Sequence, residues 1–368
     1  MAWLARQADL GIAGGGPIGL VLALALARAG VPAPLAAKDE LPPDRPIALS
    51  HASVLLLGRL GVSLDATPIR AIHVSHRGGF GRTLIRAADY GLEELGRVVS
   101  YRSLAGELWR ALAPDRLAPM SGWQEEAHDV LVSHEGGGQT RARLLVLADG
   151  VSEPAEARDY GQHAVVARVR TRLAHAGTAY ERFTSDGPLA LLPDGDAFAL
   201  VWSTRPEEAS ALCAATEAEF LQRLQAAFGT RVGRFVEAGA RRSFALSLRV
   251  SSPAGRRVLA IGNAAQTLHP VAGQGLNLGM RDAWELSELI AERPEAVADG
   301  RLARSYMRHR GLDRRGGIAV TDALVRVFSS DDARLAAARS AGLLALDLTP
   351  AARRFLARRM MFGARALP

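Results

Sequence analysis

Gly14, Gly16 and Gly19 follow a short apolar run at residues 9–13 and lead into a longer one at 18–29, which Gly30 closes. Read as strand, turn and helix, this spacing makes a seat for the pyrophosphate of a dinucleotide. The glycines allow the tight turn, let backbone approach phosphate, and let helix pack on strand. The helix amino terminus adds unpaired N–H groups and a positive dipole end. A second stretch, GNAAQTLHPVAGQGLNLGMRDA at 262–283, follows the apolar run 258–261. Its small residues, its His269-Pro270 step and its glycines offer little to a core. It reads as backbone that must come close to something flat. A third landmark is the apolar strand that ends in Asp149-Gly150.

The elements that must position these residues follow from pattern. A second strand is expected in VPAPLAAKDE at 31–40, short or at an edge because Pro32 and Pro34 cannot donate to a ladder. Residues 43–60 read as a loop followed by a helix, and 69–84 as strands. Leu104, Leu108 and Leu112 have helical spacing. A hairpin turns at 136–138. Strands including 187–193 and 197–203 surround a helix at 216–228, and the chain from Leu302 onward is helical by pattern. The pattern gives a Rossmann-like α/β unit, with a second, strand-rich unit over about 164–250.

The chain has 368 residues, of which 48% are hydrophobic, enough for a large core in two units. Its only cysteine, Cys213, excludes an internal disulfide framework and reads as a small hydrophobe. No signal peptide is visible, and the apolar run 18–27 is too short to span a bilayer. The net charge of +7 rests almost wholly on arginine, Lys38 being the sole lysine. No zinc-ligand pattern or basic recognition helix points to nucleic acid, and no metal-ligand cluster is present.

The three landmarks, in this order and distance, resemble the FAD-dependent aromatic hydroxylases, the group A flavoprotein monooxygenases. GNAAQTLHPVAGQGLNLGMRD is similar to the UbiH-type hydroxylases of ubiquinone biosynthesis, which have Asn where most relatives have Asp after Gly262. RPIALSHAS (45–53), IRAIHVSHRGGFGRT (69–83), ERFTSDGPLALLP (181–193) and VTDALVRVF (320–328) extend the likeness along nearly the whole chain. It implies an aromatic hydroxylase fold, α/β, with a Rossmann-like FAD-binding unit over 1–75, 96–155 and 256–310, an inserted β-sheet substrate unit over 76–95 and 156–255 and a helical segment over 311–368. It also implies FAD held by Gly14, Gly16, Pro17, Gly19, Arg45, Asp149 and Gly150. Asn263, Pro270, Gly273, Gln274, Gly275, Leu276 and Asn277 would complete the seat, with Pro270 and residues 272–275 against the ring. It further implies hydroxylation of a prenylated phenol, with NAD(P)H and O2, through a flavin C4a-hydroperoxide. No second GxGxxG serves a nicotinamide.

Some positions depart from the family. Ala37 stands where the family has a Glu on the ribose hydroxyls, so Ala37→Glu is expected to tighten FAD. Ser152 is out of register and Glu156 stands near the usual Arg. These losses leave an alternative reading, a flavin-poor homologue serving as a scaffold among other ubiquinone-biosynthesis proteins. No acid or base is assigned. His269 reads as a ring-packing or capping histidine rather than a base, and His51, His73 and His76 as strand or surface residues. A prenylated substrate implies a cytoplasmic protein peripheral to the inner membrane. The segment AARRFLARRMMFGAR (351–365) is either the basic amphipathic face for that surface or a helix packed on the body.

Overall fold

The computed structural model describes residues 6–31, 33–38, 40–41, 43–112, 116–150, 156–251, 255–267, 273–311, 316 and 333–363. A seven-stranded sheet carries the first unit. Arg6–Ala13 lies at its centre, parallel to Gln139–Leu147 on one side and to Leu35–Ala36 on the other. Val258–Ala260 joins Gln139–Leu147 in the same direction, so these strands end along one edge. Val130–His134 pairs antiparallel with the opening half of that strand, through the hairpin read at 136–138. The expected second strand is only two residues long, as its prolines require.

Helix α1 (Pro17–Arg28) is apolar almost all round and is buried from Pro17 to Leu26. A helix with that composition must be enclosed. α2 (His51–Arg59) starts at Ser50, whose hydroxyl accepts the Ser53 N–H. α3 (Tyr101–Leu112) buries Leu104, Ala105 and Leu108, close to the expected stripe.

The second unit is a nine-stranded sheet. Its central strand, Glu156–Thr171, pairs with Arg242–Val250 and Ala197–Thr204, and the sheet continues through Gly187–Asp194 and Thr178–Thr184. It then takes in Ala71–His76, which runs parallel to Thr178–Thr184, and Arg82–Arg86. The sheet therefore begins at residue 71, earlier than the boundary at 76 read from the sequence. α4 (Pro206–Ala214) and α5 (Glu217–Phe228) cover one face, with Val165, Leu189, Phe198, Trp202, Phe220 and Leu224 between them. Cys213 of α4 is half-buried and free, beside this core.

The remaining helices are α6 (Gln274–Glu292), α7 (Ala296–Asp299), α8 over residues 302–311, α9 (Ala333–Leu348) and α10 (Pro350–Phe362). Met280, Ala283, Leu286 and Ile290 of α6 enter the core that α1 fills. Several elements go beyond the sequence reading, among them the strands Gly96–Ser100 and Met120–Glu125. Residues 46–50 form a strand rather than a loop, paired with Gly96–Ser100, and α4 precedes the one expected helix in its region.

Candidate functional site

The glycines of the site fall into two kinds. At Gly14 and Gly19 the space for a side chain is taken by protein. A Cβ on Gly14 would lie 2.6 Å from Ala148 backbone, and one on Gly19 2.0 Å from the Gly14 carbonyl oxygen. Gly262 and Gly279 face Ile18 of α1 in the same way, at 3.1 and 2.9 Å. These glycines let strand, α1 and α6 close on one another. At Gly275, by contrast, no described atom comes within 4 Å, and at Gly16 only the Tyr101 hydroxyl does, at 3.6 Å. Packing of the described residues gives no reason for those two glycines. Their openings fit a flat cofactor, and with the donors around them they fit FAD.

At the phosphate end, Gly14 has φ +129° and donates its N–H to the Ala36 carbonyl at 2.9 Å, so the loop crosses the strand ends. Gly16 caps α1 without any side-chain bond, and Pro17 opens the helix. The first-turn N–H groups therefore have no partner within the helix. Arg45 is exposed and places its guanidinium 4.2 Å from the centre of the Tyr101 ring. Burial pushes the Tyr101 phenol up, against the pull of Arg45, while Asp149 pushes it further. Arg45, Tyr101, Gly16 and Asp149 thus converge on one spot. Asp44 fixes the start of α3, accepting the Ser100 hydroxyl at 2.6 Å. Asp149 and Gly150 are exposed, Gly150 with φ +56°.

At the adenosine end the structure changes the expectation for Ala37. Ala37 is 5% exposed. A Cβ on Gly15 would lie 2.8 Å from the Ala37 methyl and 2.9 Å from the Trp109 ring, and Arg116 lies over that ring at 5.3 Å. The missing carboxylate has left no gap, because Trp109 and the Ala37 methyl close on Gly15. Ala37→Glu should therefore fail to tighten FAD and should cost about 2–3 kcal/mol by crowding and by burying a charge. Thermal melts and FAD titrations of Ala37→Glu, alone and with Trp109→Ala, check this. A stable single variant that binds FAD more tightly refutes it.

At the ring end, Gly273 caps α6 in the left-handed region, φ +58°, where a Cβ would sit 3.6 Å from the Ala48 methyl. Gln274, Gly275 and Leu276 are half-buried in the first turn, and Asn263 is exposed. Asn277 is buried, and its side chain is fully used. It accepts from the Ser50 N–H and the Ser53 hydroxyl, both at 2.8 Å, and donates to the carbonyls of Ala48 and Gly273. Its side chain ties α6 to the Pro46–Ser50 strand. His269 and Pro270 lie outside the described residues, as do Ser152 and the rest of 151–155.

Several residues of the site were not singled out from the sequence. Tyr101 and Trp109 gave no motif, although Trp109 adjoins the helical stripe at Leu108. Asp282 lay inside the quoted block without a role. It accepts the Gly262 N–H at 3.3 Å and an Arg310 N–H at 2.8 Å. Among the described residues no three His, Cys, Asp or Glu side chains group as metal ligands.

The family described as FAD binding domain matches residues 123–314. A ubiquinone hydroxylase, UbiL, of Rhodospirillum rubrum is 34% identical, covering 97% of this chain and 90% of its own length. The 3-demethoxyubiquinol 3-hydroxylase of Escherichia coli is 32% identical, over 93% of this chain and 95% of that protein. Among solved structures, the p-nitrophenol 4-monooxygenase PnpA of Pseudomonas putida superposes with a TM-score of 0.77 at 18% identity, covering 98% of this chain and all of that one. Klebsiella pneumoniae HpxO, complexed with FAD and uric acid, gives 0.74 at 18% identity, covering 98% of this chain and 97% of its own. Those two likenesses carry the fold, and the full-length relatives carry the lineage. The chain belongs to the FAD-dependent hydroxylases of ubiquinone biosynthesis.

Proposed function

We propose that this protein hydroxylates the aromatic ring of a polyprenylated phenol on the way to ubiquinone, with FAD as cofactor and NAD(P)H as reductant. The observation that carries the reading is the opening at Gly275, in the first turn of α6. When bound, FAD would let two electrons from NAD(P)H activate O2, one oxygen atom entering the ring and the other leaving as water. The chain's own residues bind and orient. The α1 amino terminus, with Gly14, Gly16, Pro17 and Gly19, would receive the pyrophosphate, and Arg45, Asp149 and Gly150 would flank it. Asn263 and residues 273–277 would border the ring, where the positive end of α6 favours negative charge. The sheet of the second unit would exclude water from the reacting carbon. The scaffold alternative has no support, since two full-length relatives are hydroxylases by name. The test is mass analysis of a short-chain prenylphenol incubated with protein, FAD and NADPH. Gain of one oxygen atom is expected, and an unchanged phenol beside a flavin-loaded protein refutes the reading.

A prenylated phenol partitions into a bilayer, so the same reading places the protein at a membrane surface. No helix among the described residues is long and apolar enough to cross one. α10 packs on the body through Ala357 and Met361, against Ile85, Ala87 and Leu95. Its outer side still exposes Phe355 (69%), with Arg354 and Arg358, and Leu348 (71%) exposes the end of α9. This combination suits an anionic interface. Removing residues 351–368 would uncover a core cluster, so the cleaner test is Leu348→Ser with Phe355→Ser. The affinity for anionic liposomes, read by co-sedimentation, should fall about a hundredfold, the scale of losing two apolar anchors of about 1.5 kcal/mol each, with the melting midpoint unchanged. Undiminished binding refutes the surface assignment.

A further inference from the structure

Side chains alternate across the Thr178–Thr184 strand, and the packing shows which face each phase serves. Tyr180 joins the core beneath α4 and α5. Ala179 and Phe183 lie on the opposite face, and Glu181 stands between them in the same phase. On one flank Ala179 packs with Ile72, Leu192, Val98 and Ala48, and Ala48 is the residue beside Gly273. On the other flank Phe183 and Val74 pack with Tyr160, which also meets Leu278 of α6. Glu181 thus sits between two contacts that both reach the amino end of α6. It occupies the roof over the flavin seat.

The register gives Glu181 an apolar setting. Its neighbours are Val74 and Ala190, followed across the sheet by Val201 and Val166, and all four are half-buried. The other carboxylate in this phase of the neighbouring strands, Asp194, lies at the sheet margin and pairs with Arg168 at 3.3 Å. The Glu181 Oε1 is shut off from solvent and has no hydrogen-bond partner among the described residues. Burial alone pushes its carboxyl up to about 7. A carboxyl oxygen buried without a partner is costly unless something else supplies one. The titratable and charged groups around this face are His76 on the neighbouring strand, Arg339 of α9, Asp347 of α9 (which accepts the Thr83 hydroxyl at 3.1 Å and pairs with Arg353) and Arg242 at the far strand. His51 of α2 and Arg281 of α6 are those on the flavin side. None of them contributes to the shift of Glu181.

We propose that Glu181 is the catalytic residue that receives the hydroxyl group of the aromatic substrate. Its carboxylate accepts the phenol O–H hydrogen bond and then takes the proton. The O–H electron pair stays on the phenol oxygen and raises electron density at the ring carbon to be attacked. Once the new C–O bond has formed and that carbon has released its hydrogen to water, Glu181 returns its proton to the phenol oxygen. The sheet supplies the apolar walls, and a lone carboxylate marks where the polar end of the substrate lies.

This rests on the phenol hydroxylase reading, and the experiment separates the two. Flavin-loaded wild type and Glu181→Gln are titrated calorimetrically with 2-prenylphenol and with its methyl ether between pH 5.5 and 8.5. Wild type should bind the phenol about tenfold more tightly at the upper end, where the carboxylate exists to accept the proton, and the ether with no pH dependence. Glu181→Gln should abolish that dependence, bind the phenol about as weakly as the wild type does at the lower end, and lower kcat roughly a hundredfold. Infrared difference spectra of the wild type should show a carboxyl band shifting on addition of the phenol but not of the ether, independent of how the variant folds. Phenol binding by Glu181→Gln with the wild-type pH profile, or no carboxyl shift in the wild type, overturns the assignment of Glu181 alone. A wild type that binds FAD but no prenylphenol at any pH overturns both.

Discussion

Gly275→Leu should give a protein that folds as well as the parent and no longer retains FAD. The position lies in the first turn of α6, and no described atom stands within 4 Å of where a Cβ would go. Leucine has the better helix propensity, by roughly 0.5–1 kcal/mol, so the ligand-free fold should not weaken. The four added carbons would occupy the volume meant for the ring. A loss of at least about a hundredfold in FAD affinity is expected, or roughly 2.7 kcal/mol. Linkage makes this visible without any turnover assay. At a hundred times the wild-type Kd, FAD should stabilise the wild type by about 2.7 kcal/mol and the variant by no more than about 0.4 kcal/mol. Fluorescence-quenching titration and thermal melts with and without FAD are the measurements, and a variant that elutes yellow from gel filtration disproves the placement of the ring. Gly19→Ala is the contrasting control. Its Cβ would lie 2.0 Å from the Gly14 carbonyl, so it should damage the fold itself.

Arg310→Met should produce the largest loss of stability. Arg310 is fully buried on α8 and bonds to Asp282 at 2.8 Å and to Glu285 at 2.6 Å, both on α6. Asp282 is buried too, and its other oxygen holds the Gly262 N–H. Removing the cation leaves a buried carboxylate uncompensated, which costs about 3–5 kcal/mol. Neutralising Asp282 as well should recover part of that loss, because the remaining amide can still accept from Gly262. Urea melts of Arg310→Met, Asp282→Asn and the pair form the double-mutant cycle. Strictly additive losses would mean that the two side chains act independently. FAD affinity should weaken along with stability, since this ion pair supports the turn that begins the ring-side segment.

The parts of the fold legible in the sequence were those written in short stretches. The strand and glycine turn before α1, the helix itself and the hairpin at 136–138 each rest on residues within a few positions of one another. The strand Pro46–Ser50 was hidden by the prolines around it and by a partner, Gly96–Ser100, some 50 residues further on. Ala37 looked like a lost bond because the residue that fills its place, Trp109, comes from another helix. Glu181 carried a signal that was passed over, a carboxylate in the apolar phase of an alternating strand. The ring-side motif was plain as a motif, but the use of Asn277 as a tie between segments needed the tertiary contacts.

The parallel pairing of Val258–Ala260 with Gln139–Leu147 has a bearing on how the protein is made. The glycine turn leaves the ribosome early, yet the segment proposed to border the ring is encoded some 250 residues later, and Asn277 fastens it to a strand near residue 50. A nascent chain that stops short of α6 therefore carries a phosphate loop with nowhere to lay a flavin. Until those distant segments meet, the ligand cannot help the chain fold, and closing such long loops is slow. Supplementing riboflavin during expression should therefore rescue variants damaged after that closure rather than before it.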